Sequence, residues 1–261
     1  MKCGSAARLG PVLFLCALLL SGFQSTTPRD ILSRSVRAHG GDSLTNWKSM
    51  TIQGTIDMAD GITFRAGYLV FAEPGKLRIE RDMTVSQGGR YFYEDFLNGD
   101  VAWNRRNLIP GRGNLEEMKR KLNECYGIAW YASKAESLVR KEDAVVEWRE
   151  KADLQSNEYK VVASKPAHVI TATVGKDVTD LYIDKTTFLF LQEASGRTRR
   201  IFWEFRKFGD VTLPTKILEV TAGSRGEQIT PYTYDVVKFN VPIEGWLFTE
   251  DMPKQPGQIK R

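Results

Sequence analysis

From residue 50 the chain alternates apolar and polar positions with a period of two, the pattern of β-strands with one covered face. Ile52, Gly54, Ile56 and Met58 alternate with Thr51, Gln53, Thr55 and Asp57. Asp60-Gly61 then supplies the residue pair that favours a tight hairpin turn. On the return, Ile62, Phe64, Ala66, Tyr68 and Val70 oppose Thr63, Arg65, Gly67, Leu69 and Phe71. Both sets are apolar by the end, which predicts burial on both sides there. Glu73-Pro74-Gly75 turns the chain again. Leu77, Ile79, Arg81 and Met83 then alternate with Lys76, Arg78, Glu80 and Asp82, which reads as a half-solvated strand. Further strands are expected at 89–96 and 100–104, joined through Asn98-Gly99.

Two stretches change to a helical period. Thr26 or Thr27 can cap a helix in which Pro28 fits the first turn. Leu32, Val36 and His39 recur on one face of it, and Gly40-Gly41 supplies the stop. A second short helical turn is expected at 42–47. Between 108 and 140 the β pattern breaks. Pro110-Gly111-Arg112-Gly113 reads as a flexible connector. Leu115, Met118, Leu122, Cys125 and Ala129 then fall on one helical face, with Glu116, Lys119, Arg120 and Glu124 elsewhere. That apolar stripe needs a cover, and the concave face of the sheet is the available one.

A second β run follows. Its strands are expected at 145–151, 158–163, 168–174, 178–184, 188–194, 199–208, 213–222 and 228–239, with turn residues such as Lys165-Pro166 and Gly175-Lys176 between them. This spacing predicts an antiparallel meander, and the absence of βαβ alternation argues against a parallel sheet. The expected fold class is therefore mainly antiparallel β with α: a curved half-barrel sheet covered by helices.

The first 25 residues do not fit that pattern. Lys2 and Arg8 precede an apolar run from residue 12 to 20, too short to span a bilayer, and Ser21, Gly22 and Ser25 offer small residues for cleavage. Residues 1–25 thus read as a signal peptide, 26–252 as a single β domain and 253–261 as a frayed tail. Cys16 lies inside the apolar run and no Cys follows Ser21-Gly22, so the leader is not of the lipid-anchored type. The formal net charge of +5 falls to +3 without Lys2 and Arg8, a weak basis for binding nucleic acid. Cys3 and Cys16 leave with the leader. Cys125 then has no partner for a disulfide, and reads as a small apolar helix residue.

Catalytic and metal chemistry find little support. His39 and His168 are the only histidines, without the paired spacing of a zinc site. No Gly-x-Ser-x-Gly elbow occurs. The carboxylate pairs Glu94-Asp95, Glu116-Glu117 and Glu142-Asp143 read as solvated faces, because neighbours on a strand point apart. Arg197, Arg199, Arg200, Arg206 and Lys207 alternate with Phe202, Trp203 and Phe205, which reads as an amphipathic core strand or as a cationic rim for lipid headgroups. No catalytic residue, metal or cofactor is assigned.

Five segments in series carry a resemblance. They are DILSRSVRAHGGDSLTNWKSMTIQGTIDM (30–58), EPGKLRIE (73–80), DLYIDKTTFLFLQ (180–192), FGDVTLPTKI (208–217) and FNVPIEGWLF (239–248), the last read as a closing strand and stop. In this order they are similar to exported bacterial proteins of the outer-membrane lipoprotein-sorting type, which resemble the periplasmic lipoprotein carriers LolA and LolB. The resemblance implies a curved antiparallel half-barrel with helices plugging an apolar cavity, and a periplasmic location. It carries over no functional residue.

These readings converge on a non-enzymatic periplasmic protein that binds or carries a lipid or lipidated protein. The expected cavity residues are Phe64, Tyr68, Leu77, Ile79, Trp103, Leu115, Met118, Leu122, Trp203 and Phe205. The partner would be a lipid or lipidated protein and not nucleic acid. The protein would be a monomer, able to associate peripherally with the envelope. The alternative is an envelope interaction or sensing module whose helix fills the cavity. A third reading is a hydrolase whose site residues converge only in the fold.

Overall fold

The structure, a computed structural model, describes residues 26–57, 63–85, 89–152, 158–224 and 226–249. The expected leader (1–25), the tail (253–261), Met58 and the Asp60-Gly61 turn lie outside the described residues.

Helix α1 (Pro28–Ala38) starts at a reciprocal cap. The Asp30 N–H donates to Thr27 Oγ1, and the Thr27 N–H donates to Asp30 Oδ2, each at 3.2 Å. The short α2 (Asp42–Thr45) follows. Six strands come next: β1 (Met50–Ile56), β2 (Thr63–Glu73), β3 (Lys76–Val85), β4 (Arg90–Asn98), β5 (Val101–Arg106) and β6 (Ile109–Arg112). Then come α3 (Leu115–Tyr126) and α4 (Ile128–Lys134). The second run is β7 (Ser137–Arg140), β8 (Ala144–Lys151), β9 (Tyr159–Val174), β10 (Asp177–Asp184), β11 (Phe190–Ser195), β12 (Thr198–Phe208), β13 (Val211–Gly223) and β14 (Gly226–Phe239). A 3-10 turn at Gly245–Phe248 ends the described chain.

Among the described residues, all strands belong to one antiparallel sheet ordered β6-β5-β4-β3-β2-β1-β14-β13-β12-β11-β10-β9-β7, with β8 on β9. It is the expected half-barrel: an open sheet whose end strands do not meet, with the helices laid across one face. Two meanders make it. They are joined where β1 pairs with β14, strands far apart in the chain. A bulge lies at this seam: Gln53 is opposite Val236 but Gly54 is opposite Tyr234, leaving Asp235 unpaired. A Cβ on Gly54 would stand 2.0 Å from the Thr233 carbonyl oxygen, so the strands can close only around a glycine.

Several sequence expectations are corrected. The stripe at 115–129 is two helices, because Gly127 takes φ 52° and ends α3. Pro110-Gly111-Arg112-Gly113 is no loose connector, since β6 pairs with β5 over Ile109 to Arg112. The strands expected at 158–163 and 168–174 are one strand, β9. Pro166 falls where β9 passes from its β8 partner to its β10 partner, a strand position that tolerates a missing N–H. The first half of β9, with β8, packs on the outer face of β11–β13 and covers Leu191, Ile201, Leu218 and Val220. The expected closing strand at 239–248 is the end of β14 followed by the 3-10 turn.

The half-solvated reading of β3 also fails in the middle of the strand. Arg78 is 4% and Glu80 8% exposed, and Glu94, expected on a solvated face, is 2% exposed. Glu80 and Glu94 stand opposite each other across β3 and β4, with Arg105 beyond Glu94 on β5. Two like charges side by side repel, so a cation must lie between them. Arg78 serves: it is ion-paired to Glu80, and its Nη2 lies 2.6 Å from Glu94 Oε1. Burial pushes the Glu80 carboxyl up and Arg78 pulls it back. The 3-10 turn covers this cluster. Phe248 is fully buried there, and Arg78 Nη1 donates to the Leu247 carbonyl at 3.4 Å.

His39 ties α1 to the second meander. Its Nε2 accepts from the Phe190 N–H at 2.9 Å, which requires that nitrogen to be unprotonated. Its Nδ1 then carries the hydrogen and donates to the Thr212 carbonyl at 2.6 Å. Burial pushes the imidazole pKa below its usual value.

Two outcomes test this account. Gly54→Ala should destabilise the fold by about 2 kcal/mol or more, the overpacking range, as read from denaturant unfolding. Since the folded protein holds His39 neutral, the unfolded chain takes up its proton first. Stability should therefore fall as pH drops through ~6.5 and below, until the depressed folded pKa is passed. In His39→Gln that part of the pH dependence should vanish from the unfolding profile.

Candidate ligand cavity

Helix α3 crosses the concave face and closes a cavity of about 330 Å³ over β1–β3 and β12–β14. Asn114 starts the helix, its Oδ1 accepting the Glu117 N–H at 3.1 Å. Met118 and Leu122 are buried against Trp47, Leu77 and Leu97, and Tyr126 stacks on Trp47 at 4.6 Å. Beyond Gly127, Ile128 and Ala129 of α4 join the core that holds α1 to β9–β11.

The sequence expectations divide by face. Tyr68, Leu77 and Ile79 line the cavity. Leu115, Met118 and Leu122 pack beside it as the helix's anchor on the sheet. Trp103 does not line it. It stacks on Phe96 at 5.1 Å on the outer face, where the guanidinium groups of Arg78 and Arg105 also meet Phe96. Trp203 is likewise on the outer face, stacked on Trp148 at 5.9 Å. Phe205 lies edge-on to His39 at 5.7 Å, next to the irregular residue Glu204 at φ 51°, and is not part of the cavity wall. Phe64 belongs to β2, and its side chain lies outside the described residues.

The wall is not purely apolar. Besides Met50, Ile52, Ile56 and Val70, it carries Tyr68, Tyr232, Tyr234, Cys125 and several charged groups. Register explains the tyrosines. Gly54 is flanked by Tyr68 on β2 and Tyr234 on β14. With no side chain between them, the two rings lie parallel at 6.3 Å across the glycine, and Tyr232 meets Tyr68 edge-on at 5.7 Å. Burial raises all three phenols, Tyr232 to about 12, so they stand as neutral O–H groups. Burial also raises the Cys125 thiol to about 12, which makes it an inert core group and not a nucleophile.

One ion cluster anchors the helical cover. Glu193, Arg200 and Glu219 stand in a row across β11, β12 and β13. Arg200 reaches Glu124 of α3 at 2.9 Å, Glu193 at 3.1 Å and Glu219 at 3.8 Å. Tyr131 of α4 donates to Glu193 at 3.0 Å. Burial raises the Glu193 carboxyl, opposed by Arg200. This corrects the reading of 197–207 as a cationic rim: Arg200 is held inside on carboxylates, and Arg199 pairs with Glu227 at 2.9 Å. Of the basic strand residues of that stretch, only Arg206 and Lys207 are exposed. The cluster was hidden in the sequence because Glu124 and Tyr131 come from the helices and Glu193, Arg200 and Glu219 from three strands of the second meander.

A second recess of about 400 Å³ lies on the far side of this cluster, lined by Trp130, Asp177 and Thr179 and sharing Glu124, Glu193 and Arg200 with the first. Among the described residues no group of His, Cys, Asp and Glu is placed to hold a metal ion. No described helix is long and apolar enough to cross a membrane.

No family model and no curated protein matches this chain. Solved structures do. A domain assigned to outer membrane lipoprotein sorting, from Vibrio parahaemolyticus, aligns over 88% of this chain and 100% of its own, with TM-score 0.51 and 9% identity. A DUF1329 family protein from Desulfovibrio piger aligns over 84% of this chain and 96% of its own, with TM-score 0.50 and 10% identity. A LolA superfamily protein from Nitrosomonas europaea aligns over 87% and 99%, with TM-score 0.49 and 11% identity. The likeness to the first two is one of fold. It agrees with the half-barrel fold that the five sequence segments imply.

Arg200→Ala would take the central cation from Glu193 and Glu219 and leave Glu124 to Arg120 alone. It should cost about 3–5 kcal/mol in denaturant unfolding, the range for breaking a buried pair.

Proposed function

We propose that this chain is a non-enzymatic, exported binding or carrier protein for a lipid or the lipid part of a lipidated protein. The observation that carries the reading is the cavity of about 330 Å³ beneath α3, with Ile52, Ile56, Val70, Leu77 and Ile79 on its floor. A volume near the low end for small-molecule pockets suits one acyl chain, not several. Each buried CH₂ contributes about 0.8 kcal/mol, so a single chain of ordinary length binds usefully. The domain from Vibrio parahaemolyticus, assigned to outer membrane lipoprotein sorting, shares the fold, which supports the same class of ligand and an envelope location. The competing reading is an interaction module whose helix fills the core. It is favoured by Met118 and Leu122, which already occupy part of the concave face.

Native mass spectrometry of the purified protein and uptake of a fluorescent fatty acid separate the two. The lipid reading expects saturable uptake at one site, reduced at least tenfold in Leu213→Trp, whose side chain would enter the cavity. Absence of co-purified lipid together with no uptake would overturn it.

A further inference from the structure

The cavity wall carries more hydrogen-bond donors than the protein satisfies. Tyr68, Tyr232 and Tyr234 line it from β2 and β14 and are grouped around Gly54. Among the described residues, none accepts from or donates to their hydroxyls. An acyl chain that displaced the water at these hydroxyls would offer them nothing in its place, and hydroxyls left dry without a partner are costly. Some part of the ligand must therefore accept hydrogen bonds.

Charge decides which kind of acceptor. Each cation of the wall already faces a carboxylate: Arg81 faces Asp95, Arg120 faces Glu124, Lys121 lies 3.0 Å from Glu117, and Arg200 is held by three. An added anion would find no free cation and would lie near Glu124, Glu193 and Glu219, which share the same cavity. In a low dielectric that repulsion is strong. A neutral carbonyl meets no such penalty, and it accepts from phenolic O–H groups.

We infer that the cavity takes an uncharged single-chain amphiphile, with an ester or amide carbonyl held by the hydroxyls of Tyr68, Tyr232 and Tyr234 and the chain lying over Leu77 and Ile79. This rests on the lipid-binding reading and narrows it. It assigns a head-group site inside the cavity, away from the solvent-exposed cations of β12.

The test is displacement of N-phenyl-1-naphthylamine from the full chain by three C12 probes: 1-lauroylglycerol, laurate and dodecane. The ester should bind tightest, at least tenfold tighter than laurate. Phenylalanine at all three positions (Y68F, Y232F, Y234F) removes only unpartnered hydroxyls, so Tm should be unchanged. The ester's advantage over dodecane should fall about tenfold or more, as expected for loss of two or three hydrogen bonds, with dodecane unaffected. The single variants Tyr68→Phe and Tyr234→Phe give smaller losses in the same direction and stand in if the triple variant does not fold. Equal binding of ester and dodecane in the native protein would overturn the head-group site and leave the lipid reading intact. So would tightest binding of laurate. Failure of every probe to bind would overturn both.

Discussion

The pairing of β1 with β14 is the constraint on which the rest of this protein depends. It joins the meander β1–β6 to the meander β9–β14, and the cavity has walls from both. The contact is between chain segments almost two hundred residues apart, so its entropic cost is met only when both meanders have formed. The seam permits little variation. The bulge at Asp235 and the missing side chain at Gly54 let the two strands approach, and the same gap lets Tyr68 and Tyr234 lie parallel above it. One glycine thus sets both the closure of the sheet and the chemistry of the cavity floor.

Charge is buried on both faces of the sheet. Outside, Arg78 lies between Glu80 and Glu94 beneath the 3-10 turn; inside, Arg200 lies among Glu124, Glu193 and Glu219 beneath α3. Buried pairs contribute little net stability over apolar residues of the same size. Their consequence here is geometric. Each cluster engages a neighbouring segment, the turn at Gly245–Phe248 in one case and the helices α3 and α4 in the other. A one-residue slip of β3 or β12 would reverse the face of every side chain and leave these charges unpaired. The clusters therefore hold register and cover together.

The sequence by itself determined the class of element almost everywhere. Period two gave the strands from Met50 to Arg106, period 3.6 gave α1 and α3, and the absence of βαβ alternation gave an antiparallel sheet. It placed Tyr68, Leu77 and Ile79 on one face, and the cavity lies on that face. It did not determine which large residue of a strand faces inward when both faces are apolar. Trp103 and Trp203 lie outside because the 3-10 turn and the β8–β9 hairpin cover the outer face, and both covers come from distant parts of the chain. For the same reason Arg78, Glu80 and Glu94 looked solvated. Periodicity reports a side chain's direction relative to its own strand, because pleating and helical pitch are local properties of the backbone. What lies in that direction is set by long-range packing, and only the tertiary structure decided that the middle of β3 is covered on both faces and that the cavity holds three tyrosines and an arginine held by carboxylates.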